Sequence, residues 1–110
     1  MQIPKRIKIG GKVYEVEITD KLWLGAANVS AEIIYTDLVI RICPMARGKM
    51  EADFIHEVCH GIADAMGYKD HNKREIDALA QLLYQVIQDN PEMFQPDRPE
   101  AEEVPNCSDR

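Results

Sequence analysis

Apolar and polar residues alternate over residues 2–9 (QIPKRIKI) and again over 12–19 (KVYEVEIT), with Gly10-Gly11 between them. Period-two alternation on either side of a Gly-Gly pair predicts a β-hairpin. Two more strand-like runs follow, 32–35 (EIIY) and 38–42 (LVIRI), with Thr36-Asp37 expected as a tight turn. Cys43-Pro44 ends the second run, because proline has no N–H to give to a ladder. The pattern then changes period. Ala52, Ile55, Val58, Cys59, Ile62 and Met66 recur at spacings of three and four, which predicts a helix over 49–66 with one apolar stripe. Gly67 is placed to close it, and 68–72 is a polar loop. Ile76, Leu79, Leu82, Leu83, Val86 and Ile87 predict a second helix over 73–89, stopped by Asn90-Pro91. Strands followed by helices make an α+β fold, with a small antiparallel-rich sheet packed on the two helices.

The segment 20–30 (DKLWLGAANVS) reads mostly as loop, and its Trp23, the only tryptophan, is expected in the core or at its edge. From Pro91 onward there are four prolines and six acids against two bases, a net of −4. Residues 1–94 are therefore expected to form the domain and 95–110 a disordered acidic tail, with Met93-Phe94 docking back on the core.

The length of 110 residues allows one domain with a modest core. A net charge of −6, of which only −2 belongs to 1–90, argues against a nucleic-acid or anionic-membrane binder. The basic residues Lys5, Arg6, Lys8 and Lys12 of the first hairpin read as a solvated sheet face, since no aromatics interleave for stacking. No apolar run reaches the length of a membrane span and no signal-peptide pattern opens the chain. Cys43, Cys59 and Cys107 are odd in number and show no paired spacing, which suits free thiols in a reducing cytoplasm.

The candidate chemistry lies inside the first helix, in His56-Glu57-Val58-Cys59-His60. At 3.6 residues per turn, His56 and His60 share one face and can point at one metal ion. Both lie off the apolar stripe, as residues at the wall of a cleft must. Glu57 is turned about 100° from His56, where it can reach a water without displacing an imidazole. Zinc chemistry needs this division: nitrogen ligands hold the ion, and a carboxylate takes the proton from water that zinc has acidified. Chance placement of the pattern in a chain with three His and ten Glu has an expected count on the order of 0.01, so the motif is specific.

This order of elements resembles the core of the zincin metallopeptidases. More closely, it resembles small phage and prophage proteins of the ImmA/IrrE-like metallopeptidase group. The matching pieces are residues 39–42, the His56 to His60 motif, Ile76-Asp77-Ala78-Leu79-Ala80 and Asp89-Asn90-Pro91, within a span of about 5–94. The resemblance implies one zinc ion held by His56, His60 and a carboxylate of the later helix, as in gluzincins. A water in the fourth position would be activated by Glu57 to hydrolyse a peptide bond of a protein substrate. It also implies that the strand before the metal helix, here 38–42, pairs with an extended peptide. An oxyanion donor is expected too, with His71, Tyr68 and Tyr84 as candidates.

Two acids compete as third ligand, ahead of His71, whose loop need not approach the metal. Glu75 has the residue type that gluzincins prefer and the longer reach. Its position within about 60° of the expected stripe centre points it toward the core. Asp77 projects about 140° from that centre, much as the histidines do from theirs. In thermolysin-like gluzincins, apolar residues follow the ligand at +2, +5, +6, +9 and +10. Counted from Asp77 these are Leu79, Leu82, Leu83, Val86 and Ile87, so position favours Asp77.

Two other classes compete with a peptidase. His56, His60 and His71 with the local GYKDH resemble the zinc-dependent rRNA-processing endoribonucleases. The interval from His60 to His71 is ten residues instead of that family's five, and the acidic balance disfavours RNA. The other is a zincin fold used as a binding or inhibitor module without turnover, against which the intact Glu57 argues.

Overall fold

A computed structural model of the chain describes residues 1–22, 29–68 and 72–95. Trp23, His71, Cys107 and the acidic tail, with the expectations attached to them, lie outside the described residues. The strands are β1 (Arg6–Ile9), β2 (Lys12–Ile18), β3 (Ala31–Ile34) and β4 (Val39–Ile42). The helices are α1 (Arg47–Ala65) and α2 (Lys73–Asp89), and a 3₁₀ turn, Pro91–Phe94, follows α2. The α+β class is as the alternating and helical periods predict.

Gly10 and Gly11 both have positive φ, the requirement of a two-residue hairpin turn, and Ile9 pairs with Lys12 across it. The second hairpin is wider than expected. Ile34 pairs with Val39, leaving 35–38 as a four-residue turn with Leu38 at φ 54°. The β-branched residues keep the ladder, while Tyr35 and Leu38 at either end of the run leave it.

Alternation along each strand does not say how the hairpins join. They join through a parallel pairing of β2 with β4, so the sheet order is β1-β2-β4-β3. β4 is central, and all four of its residues are buried. Its Arg41 sits in register between Glu17 of β2 and Glu32 of β3. The guanidinium donates to Glu17 Oε1 at 3.1 Å and to Glu32 Oε2 at 3.4 Å. A buried cation between two cross-strand carboxylates penalises any register slip, because a slip would strand it unpaired.

α1 crosses the opposite sheet face. Gly61 is the point of closest approach: a Cβ there would lie 2.9 Å from Ile9 Cδ1 and 3.3 Å from Ile33 Cδ1. The helix starts at Arg47, two residues before the expected Lys49, since a glycine at position 48 loses little in a first turn that lacks intrahelical acceptors for its N–H groups. Its end is a Schellman arrangement: Tyr68 N–H reaches Ala63 O, Gly67 N–H reaches Asp64 O, and Gly67 takes φ 91°. α1 is buried on two sides. Phe54, Ile55, Cys59 and Ala63 are in the core, whereas Ile62 and Met66 of the expected stripe are exposed.

α2 is capped by Asn72, whose side chain accepts from Glu75 N–H. Its packing face differs from the expected stripe. Ile76 and Ala80 are buried and Leu83, Tyr84 and Ile87 pack beside them, while Leu79 and Leu82 are 54% and 64% exposed. The reason is that, among the described residues, α2 packs on α1 and otherwise touches only the 3₁₀ turn that follows it, and the Tyr84 hydroxyl is anchored to Glu51 at 2.9 Å. A helix packed along one side buries a narrow strip, and small Ala80 lets the two helices approach. Met93 and Phe94 do not dock on the core: they are 60% and 65% exposed.

Candidate metal centre

His56, Glu57 and His60 occupy successive turns of α1 at the floor of a cleft of about 700 Å³. One wall is Val29 to Ile33 with Tyr35, and the other is Lys73, Asp77, Ala80 and Gln81 of α2. The i, i+4 spacing does what helical geometry requires of it. His56 Nε2 and His60 Nε2 converge to 3.1 Å, with the rings inclined at 59°. Two nitrogens at zinc–nitrogen bond length and a tetrahedral angle would be about 3.3 Å apart, so the pair is already near a chelating separation.

The other ring nitrogen of His56 faces α2. Its Nδ1 lies 3.3 Å from Asp77 Oδ1. That oxygen is shut off from solvent yet makes no hydrogen bond, because the contact to Nδ1 is not aligned for one. A buried, unbonded carboxylate oxygen beside a converging imidazole pair is a polar group awaiting a partner, and the donor set of two imidazoles and a carboxylate suits zinc. As placed, Asp77 stands behind His56, where carboxylates orient metal-binding imidazoles. Among the described residues no third His, Cys, Asp or Glu forms a ready three-ligand cluster.

Glu75 is not brought to the site. It is exposed, not turned to the core as its expected phase implied, and it does not line the cleft. The shift of the α2 packing face explains both acids. Measured from the strip actually buried, Asp77 is turned by about 75°, onto the flank that borders α1, and Glu75 by about 125°, into solvent.

Glu57 is 7% exposed and its carboxyl is pushed up to about 7, first by burial and then by the charges of Asp53 and Glu32. A carboxyl poised near neutrality can both take and return a proton. Asp53 is itself held by Lys49 and by the Ser30 hydroxyl, which donates to Asp53 Oδ2 at 2.7 Å.

The expected oxyanion donors are elsewhere. Tyr84 is committed to Glu51 and does not line the cleft, and Tyr68 is exposed outside it. Tyr35, which the sequence reading passed over, lines the cleft, and its hydroxyl donates to the His60 carbonyl at 3.5 Å. Burial first, then the charges of Asp64 and Glu57, push it up to about 12, so it stays a donor. Its signal was its place at the strand end of a hairpin beside the motif helix.

The strand expected to bind a peptide is also corrected. β4 spends its backbone in ladders on both sides, whereas β3 borders the cleft as the edge strand of the described sheet. Cys43 N–H donates to Ser30 O, which fixes the phase of the β3–β4 ladder. The N–H and C=O groups of Ala31 and Ile33 therefore point to the outer edge.

No family model, curated protein or solved structure was found that matches this chain. No helix among the described residues is long and apolar enough to cross a membrane.

Proposed function

We propose that this protein is a zinc-dependent metallopeptidase that hydrolyses a peptide bond of a selected protein substrate. The observation that carries the reading is the convergence of His56 Nε2 and His60 Nε2 to 3.1 Å on the floor of a cleft that also holds buried Glu57. His56 and His60 would hold the ion, with Asp77 either completing the ligand set or fixing the ring of His56. Zinc bound there would supply Lewis acidity, polarising a carbonyl and easing deprotonation of water.

The remaining work falls to side chains and backbone of the chain itself. Glu57 takes the proton from the attacking water and returns it to the amine nitrogen as the C–N bond breaks, a role its raised pKa fits. The outward N–H and C=O groups of Ala31 and Ile33 pair with an extended substrate and hold its carbonyl over the histidines. Tyr35 stands at the end of that strand, and its neutral hydroxyl would turn from the long 3.5 Å contact with the His60 carbonyl to donate to a developing oxyanion. The free thiols of Cys43 and Cys59 suit a reducing cytoplasm as the place of action.

The test is metal analysis of the purified protein, followed by comparison of peptide cleavage by wild type and Glu57→Gln. Cleavage that needs both zinc and Glu57 supports the reading. Zinc binding without any Glu57-dependent cleavage would leave a binding module instead.

A further inference from the structure

Among the described residues, two lysines in unequal circumstances line the cleft. Lys49 is paired with Asp53 and also donates to Ser30 Oγ at 3.3 Å. Lys73, the first residue of α2, lines the same cleft, and among the described residues its side chain makes no ion pair or hydrogen bond. Its natural partner on the helix would be Asp77, four residues on. Asp77 is instead turned to His56, and no ion pair joins it to Lys73. Of the other cleft acids, Glu32 is engaged by Arg41 and Asp53 by Lys49, while Glu57 is buried at the floor.

The two lysines mark opposite ends. Lys49 contacts Ser30, immediately before β3. Tyr35, immediately after β3, reaches the His60 carbonyl, about three turns further along α1 than Lys49. α2 begins just after the connection that leaves the C-terminal end of α1, so Lys73 belongs to the His60 end. Four residues of β3 span about 13 Å, the length of a short extended peptide. Such a peptide would meet a neutralised ion pair at one end and an uncompensated ammonium at the other.

We infer that Lys73 forms a carboxylate-binding subsite of this cleft, so that the preferred peptide carries an acidic side chain, or its own C-terminal carboxylate, on the His60 side of the scissile bond. The inference rests on the metallopeptidase reading for the meaning of the cleft, but its test does not need turnover.

The probe is zinc-loaded full-length Glu57→Gln protein with fluorescent, end-blocked decapeptide pools that carry Glu, Gln or Lys fixed at one position in turn. A further pair of pools differs only in a free or amidated C-terminus. Binding is read by anisotropy. Pools with Glu at one position should bind three- to tenfold more tightly than those with Gln. Adding Lys73→Gln should erase that preference, and Lys73→Glu should turn it toward Lys. If only the free C-terminus is preferred, and Lys73→Gln erases that preference, the carboxylate bound is the chain end. Equal binding of all pools, no binding of any, or a ranking unchanged in Lys73→Glu overturns the inference. Wild-type cleavage separates the two ideas. Charge-ranked binding with no cleavage defeats the peptidase reading and leaves the subsite, whereas cleavage indifferent to charge defeats the subsite alone.

Discussion

The Nδ1 atom of His56 lies 3.3 Å from Oδ1 of Asp77, joining the motif helix to the helix that follows it. The same imidazole turns its Nε2 toward that of His60, and the Asp77 oxygen is left buried without a hydrogen bond. Loading of the pair with a cation would give that oxygen a partner, either the ion itself or an Nδ1–H fixed by metal binding at Nε2.

Purified protein should therefore hold about one zinc per chain, and His56→Ala or His60→Ala should lose most of it. Asp77→Asn should weaken zinc binding on the order of 10- to 100-fold, and Glu75→Gln should leave it unchanged. Chelator competition measures both. Full occupancy in the two histidine variants would sink the metal site, and weakening by Glu75→Gln alone would reverse the assignment of the acid.

Glu57→Gln should retain zinc and fold while losing hydrolysis by at least two orders of magnitude, because the amide cannot accept the proton. Atomic absorption and cleavage of a peptide library report the two properties separately. A variant that cleaves at the wild-type rate would place the activity outside this cleft.

The metal-free protein should lose stability as pH rises from about 4.5 to about 7, the interval between the ordinary and the raised Glu57 value. In that window the folded state keeps a proton that the unfolded state releases, so the unfolding free energy falls with pH. The contribution is complete below the window and gone above it, a change of about 3 kcal/mol. Urea melts at several pH values should show this slope in wild type and a flatter one in Glu57→Gln. Equal slopes would mean that Glu57 is not buried as described.

Gly10→Ala should destabilise the fold by roughly 2–3 kcal/mol, since the residue sits at φ 59° and a Cβ would lie 2.6 Å from that of Ala65. Gly11→Ala, at φ 87° with open space around it, should cost only the conformational strain, about 1 kcal/mol. Thermal melts of the two variants compare them directly, and equal losses would show that the turn does not rest on α1.

Much of this architecture is written locally. The Gly10-Gly11 turn, the helix closing at Gly67, the Asn72 cap and the convergence of His56 on His60 all follow from neighbours within a few residues, where period and backbone freedom decide the outcome. The burial of Cys59 follows in the same way, from its phase on α1.

What tertiary structure decided is how those pieces meet. Alternation in β2 and β4 is compatible with either strand direction, so the parallel pairing that makes β4 central, and leaves β3 to border the cleft, was not legible. The apolar residues of α2 form one continuous stripe in sequence, yet among the described residues only α1 packs along the helix, and it covers only part of that stripe. That choice exposes Leu79 and Leu82, turns Glu75 into solvent and sets Asp77 on the flank facing His56. Tyr35 reaches the cleft because the hairpin turn sets it beside α1, a contact between residues 25 positions apart. Local periodicity states which residues prefer burial or a shared face. Only the packing of helix on helix and strand on strand selects the atoms that face one another across the site.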